Sequence, residues 1–257
     1  MFPRTWLSPL LLAFLLGGCA IAPRSAARDP DLAVARAMLA AGDPAGALHA
    51  SARALADHPG DPAALTVQGE ALAALGQRGR AEASFRQALT ADPTALPARM
   101  GLGRVLLRTD PAGAAAQFRA VLAAQPADAA ALNDLGIARD LRGRHLAAQN
   151  AYRAALAATP DLRAAQVNLG LSLALSGHAA EGVRMLRPLA TTGAAPRVRQ
   201  DLAAATAMAG HPATAAALLA AEMPPDQAAA AVRGYAALVG PAEASVPAVP
   251  PARRTGG

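Results

Sequence analysis

The chain has 257 residues but only one cysteine, Cys19, and no lysine. One thiol cannot form an internal disulfide, so stability must come from packing. Aromatic side chains make up 3% of the residues, too few for the stacking platforms on which nucleic acids are held. The basic residues are all arginine and are spread along the chain rather than gathered in a stripe, which argues further against nucleic acid as a partner. The apolar run Trp6–Leu16 covers eleven residues. A membrane-spanning helix needs roughly 20, so this run is too short to span. Catalytic patterns are also missing. There is no Gly-x-Ser-x-Gly elbow and no His-Glu-x-x-His spacing. The five histidines (His49, His58, His145, His178 and His211) read as solvated turn residues too far apart to share a metal. Gly101-Leu102-Gly103 lacks the third glycine of a phosphate loop and follows no strand, and Asp29 and Asp31 stand together in a tether without a pocket. The expectation is a non-enzyme with no catalytic residue, no metal and no cofactor.

What is present begins at the N-terminus. Arg4 precedes the apolar run, and the run ends in Leu16-Gly17-Gly18-Cys19, which resembles a bacterial lipobox. The resemblance implies that residues 1–18 are a signal peptide cleaved after Gly18. Cys19 would then carry a thioether-linked diacylglycerol and an N-acyl chain, with residues 19–27 as the lipid-anchored tether. Several acyl chains anchor durably where one does not. Ala20, in place of an aspartate after the cysteine, favours the outer membrane, with the protein facing the periplasm.

The rest of the chain is periodic. Phe85, Phe118 and Tyr152 recur with a nearly constant step. Gly42, Gly76, Asp110, Gly143, Gly177 and Gly210 keep the same step, as do Ala47, Ala81, Ala114, Ala148, Gly182 and Ala215. A third small-residue set runs Ala35, Gly69, Gly103, Gly136, Gly170 and Ala203, and Pro59, Pro93, Pro126 and Pro160 close successive units. Such a period marks a repeat architecture in which each unit buries its face against the next.

The pattern resembles the tetratricopeptide repeat, a helix–turn–helix unit of about 34 residues. That implies an all-α solenoid, a right-handed superhelix of about six helix pairs. The units read as 28–61, 62–95, 96–128, 129–162, 163–195 and 196–229, and the tail 240–257 as disordered. A capping helix from about Asp226 to Leu238, with Asp226 as its N-cap, follows; residues 230–239 are its end. The family implies a concave groove lined by first-helix residues. Here these include Thr66, Glu70, Arg104, Arg108, Asn133, Asp134, Ile137, Val167, Asn168, Leu171, Gln200 and Asp201. A groove asparagine can bond both edges of a partner backbone, which makes Asn133 and Asn168 the sharpest candidates.

A further resemblance covers the last third. LRPLA (186–190), RVRQDLA (197–203) and MPPDQAAAAVRGYAAL (223–238) look like the C-terminal part of the tetratricopeptide lipoprotein of tight-adherence (Flp) pilus systems. This implies an outer-membrane scaffold that helps a pilus secretin assemble, with a pilus secretin or other pilus assembly component as the envelope partner. An adaptor that recruits peptidoglycan hydrolases or proteases shares the same architecture.

Overall fold

The computed structural model describes residues 30–191 and 194–238. The expected signal peptide, Cys19, the tether, Asp29, Thr192-Gly193 and the chain from residue 239 onward lie outside the described residues. Within them the chain is six helix pairs and a terminal helix. The first helices of the pairs are α1 (Pro30–Ala40), α3 (Pro62–Ala74), α5 (Leu96–Leu106), α7 (Ala129–Asp140), α9 (Arg163–Leu175) and α11 (Pro196–Met208). The second helices are α2 (Pro44–Asp57), α4 (Arg78–Ala91), α6 (Pro111–Ala124), α8 (His145–Ala158), α10 (Ala179–Leu186) and α12 (Pro212–Leu219), and α13 (Pro225–Leu238) ends the array. None of these helices is long and apolar enough to cross a membrane.

Local chemistry places the breaks. Asp43, Asp61, Asp110 and Asp128 each accept a backbone N–H of the helix they precede, which satisfies donors the helix leaves open. Prolines stand in the first turn of α2, α3, α5, α6, α11 and α12, where no N–H is missed. Five of the six turns within pairs carry a glycine at positive φ, between 69° and 88°. The third turn differs from the expected glycine series: Asp110 is the N-cap of α6, and no described non-glycine residue takes a positive φ. Asp226 is likewise not the N-cap of α13. The carbonyl of Pro224 accepts the first helical bond, from Ala228, so Asp226 lies inside the first turn, where a carboxylate suits the helix dipole. Asp31 belongs to α1 rather than to a tether and pairs with Arg53 of α2 at 2.5 Å.

The core is made of rings set against bare backbone. Phe85, Phe118 and Tyr152 are at most 1% exposed. A Cβ built on Gly69 would lie 2.6 Å from Phe85, one on Gly103 2.5 Å from Phe118, and one on Gly136 2.3 Å from Tyr152. Gly101 faces Phe85 from the next unit in the same way, at 2.3 Å, so the Gly101-Leu102-Gly103 run is explained by packing. Ser51, Leu186 and Leu219 take the ring position in units one, five and six, and all three are fully buried.

First helices pack on one another, α1 on α3, α3 on α5, α7 on α9, α9 on α11 and α11 on α13. Second helices show no comparable mutual packing, so the first-helix side is concave and the second-helix side convex.

Candidate partner-binding groove

Four of the twelve groove candidates form one hydrogen-bonded chain across three units. Arg104 Nε of α5 donates to Asp134 Oδ2 of α7 at 2.7 Å. Asn133 Nδ2 donates to Asp134 Oδ1 at 3.1 Å, and Asn168 Nδ2 of α9 donates to Asn133 Oδ1 at 2.9 Å. Asn133 and Asp134 are buried, while the Arg104 side chain stays 55% exposed. The asparagines thus bond first to each other along the groove floor. The guanidinium is held through Nε, which leaves its other N–H groups as donors a partner could use.

Arg108, Ile137 and Leu171 lie apart from it. Arg108 is exposed just beyond the end of α5. Ile137 is partly buried against the cluster of Ala148, Tyr152, Leu169 and Leu173. Leu171 belongs to a separate cleft of ≈ 340 Å³, lined also by Leu175, Arg197, Gln200, Asp201, Ala204, Met208, Tyr235 and Leu238. A second cleft of ≈ 420 Å³ lies between α1, α3 and α5, lined by Arg36, Pro62, Ala63, Thr66, Val67, Glu70, Asp92, Ala95 and Pro97. Arg36, Tyr235 and Leu238 are cleft residues that sequence reasoning misses. Arg36 has a signal, for Arg36, Glu70, Arg104, Ile137, Leu171 and Ala204 recur once per repeat. One register position therefore alternates in charge in units one to three and is apolar in units four to six.

Glu70 sits in that register between Arg36 and Arg104. Partial burial raises its carboxyl above the usual range, and the two arginines pull it back down. Asp201, at the other end, is also raised, because burial outweighs Arg197, 3.8 Å away.

A polar cluster lies behind the groove between units four and five. Asp140 accepts from Tyr152 Oη at 2.9 Å, from His145 Nδ1 at 2.8 Å and from Ser172 Oγ at 2.8 Å. His145 is thus a half-buried partner of Asp140, not a solvated turn residue. Serine and histidine both bond the carboxylate and not each other. Ser172 is fully buried, so the cluster pins three helices together and offers no accessible nucleophile. Among the described residues no group of three metal-ligating side chains could hold an ion.

Paired helices stacked into a curved array, with a groove along the first helices, define a scaffold class. The family model that matches is the tetratricopeptide repeat, over residues 32–96, 68–110 and 108–161, and the chain belongs to that family. Folds of this family typically serve as non-enzymatic scaffolds for protein–protein contact. No curated protein matches the chain.

Solved structures share the fold. PilW, a widely conserved type IV pilus biogenesis factor, is 22% identical with a TM-score of 0.69, covering 79% of this chain and 96% of PilW. A tetratricopeptide repeat protein from Parabacteroides merdae is 17% identical with a TM-score of 0.65, covering 81% of this chain and 84% of its own. MamA from Desulfovibrio magneticus RS-1 is 26% identical with a TM-score of 0.55, covering 62% of this chain and 93% of its own.

Proposed function

We propose that this scaffold is an outer-membrane lipoprotein, anchored through Cys19 and facing the periplasm. Its groove captures a segment of a pilus secretin of the tight-adherence (Flp) type during assembly. The observation that carries the groove is the chain Arg104–Asp134–Asn133–Asn168, which ties units three to five into one floor and leaves a guanidinium exposed above it. A floor fixed before binding loses less entropy when a partner docks. Each cleft sets charged side chains among apolar ones, Arg36 and Glu70 at one end and Arg197 and Asp201 at the other, which suits an amphipathic segment. The pilus assignment draws on the LRPLA, RVRQDLA and MPPDQAAAAVRGYAAL segments and on the lipobox, with the role stated for PilW in support.

The test is the amount of secretin multimer and of surface pili in strains carrying each variant. Arg104→Gln should lower both while leaving the helical content unchanged. Cys19→Ser should leave an unlipidated precursor absent from the outer-membrane fraction. Normal multimer and pili after deletion of the whole gene would reject the pilus role in favour of the hydrolase or protease adaptor.

A further inference from the structure

The convex side carries a row of arginines. Arg86, Arg119, Arg153 and Arg187 each follow the ring position of their unit and so recur once per repeat. All four are exposed. In the sequence the arginines are spread along the chain; stacking the repeats gathers these four on one face.

Their surroundings are almost bare. The outward stripe of α6 is Ala112, Ala116, Arg119 and Ala123, and that of α8 is Leu146, Asn150, Arg153 and Ala157, all exposed. Neither helix contains an acidic residue, and α4 and α10 contain one each, Glu82 and Glu181. Glu82 pairs with Arg86. Arg119 and Arg144 both press on Arg139, lowering its pKa after the larger effect of burial, so positive charge is crowded here. Leu146 stands in the same stripe with 70% of its surface exposed. The aromatics of units two to four are buried, so nothing on this face could stack on bases.

We propose that this convex face docks on an anionic lipid surface, the four guanidinium groups meeting headgroup phosphates and Leu146 entering the interfacial layer. Guanidinium groups match phosphate oxygens in paired hydrogen bonds, and small alanines between them let the helices lie close to the headgroups. Geometry permits it with a lipid at Cys19. The eleven residues from Cys19 to Asp29 reach roughly 36–40 Å when extended. That exceeds the ~20 Å length of a first helix, so the array can turn its second helices to the membrane. The inference is independent of what the groove holds.

The test uses the full chain with vesicles of phosphatidylcholine alone and of phosphatidylcholine mixed with phosphatidylglycerol. The N-terminal apolar run acts on both compositions, so the ratio of the two affinities isolates the headgroup charge. A preference of about tenfold for the anionic vesicles is expected, lost near 1 M salt, where the Debye length is about 3 Å. The variant R86Q/R119Q/R153Q/R187Q should lose the preference with an unchanged circular-dichroism melting curve, whereas R36Q/R108Q/R197Q/R233Q should keep most of it. No preference in the native chain, or equal loss in the two variants, overturns the proposal. Binding to polyglutamate or duplex DNA in place of the anionic vesicles also overturns it, and assigns the row to an acidic protein or to nucleic acid.

Discussion

At the scale of single residues, close approach decides which glycines are required. A Cβ on Gly182 would lie 2.4 Å from the carbonyl oxygen of Gly170, a backbone atom that cannot swing aside. Gly79, inside α4, has nothing within 4 Å of the same position. Gly182→Ala should therefore lower the melting temperature, while Gly79→Ala should raise stability by up to about 1 kcal/mol. Equal effects in thermal melts would contradict the packing described. Tyr152 offers a second case. Burial first, then the charge and hydrogen bond of Asp140, push its phenol far above the ordinary value. Its folded pKa is raised, so the contribution is complete below about pH 10 and is lost as pH rises beyond it. Tyr152→Phe should cost about 1.5–3 kcal/mol at neutral pH, and the gap to the native chain should narrow above about pH 10 in denaturant titrations. The spacing of Asn133 and Asn168 places them on the groove side but does not reveal their bond to each other. A side chain at that register can meet solvent or the neighbouring unit, and only the stacking decides.

At the scale of elements, the period is legible because small residues and rings recur in phase, and each series maps to one physical contact. The phase has a direct check. Ala148 is fully buried, whereas Arg144 is exposed at the N-cap of α8. Ala148→Trp should cost at least about 1–3 kcal/mol by overpacking, and Arg144→Ala much less. Equal melting temperatures would refute the assigned register. What escapes the sequence is the shortness of the late second helices. Both α10 and α12 stop well before the others, and α10 passes into a 3-10 turn at Arg187–Leu189 that includes Pro188. Proline without an N–H breaks the ladder there, but the recurring small residues and rings fix the phase of a unit and not the residue at which its second helix ends. The last helix closes the core: Ala228 and Val232 of α13 pack against Ala203, Ala207 and Leu219. Ending the chain at Pro224 should expose that cluster, lower the melting temperature and make the protein aggregate, as light scattering during a melt would show.

At the scale of the whole molecule, curvature gives the two faces different work. The concave face is legible in outline because first helices share a register. The convex arginine row also has a sequence signal, since Arg86, Arg119, Arg153 and Arg187 each follow a ring position, but its meaning needs the sides to be assigned. The groove has a pH signature of its own. Asp201 has a raised pKa, so its ionised form opposes folding, and stability is greatest below the ordinary carboxylate pKa and declines as pH rises through the folded value. Asp201→Asn should raise the melting temperature near pH 7 and have little effect near pH 3. A larger gain at the acid end would contradict the assignment. The chain Arg104–Asp134–Asn133–Asn168 has a mechanical consequence. The Arg104–Asp134 ion pair joins α5 to α7 across neighbouring units. It acts as a strut on the compressed side of a spring. A ligand that draws Arg104 away from Asp134 slackens the coil, and by reciprocity a pull on the ends of the array changes the grip on that ligand. An array pulled at its two ends would then report that tension through the ligand in its groove.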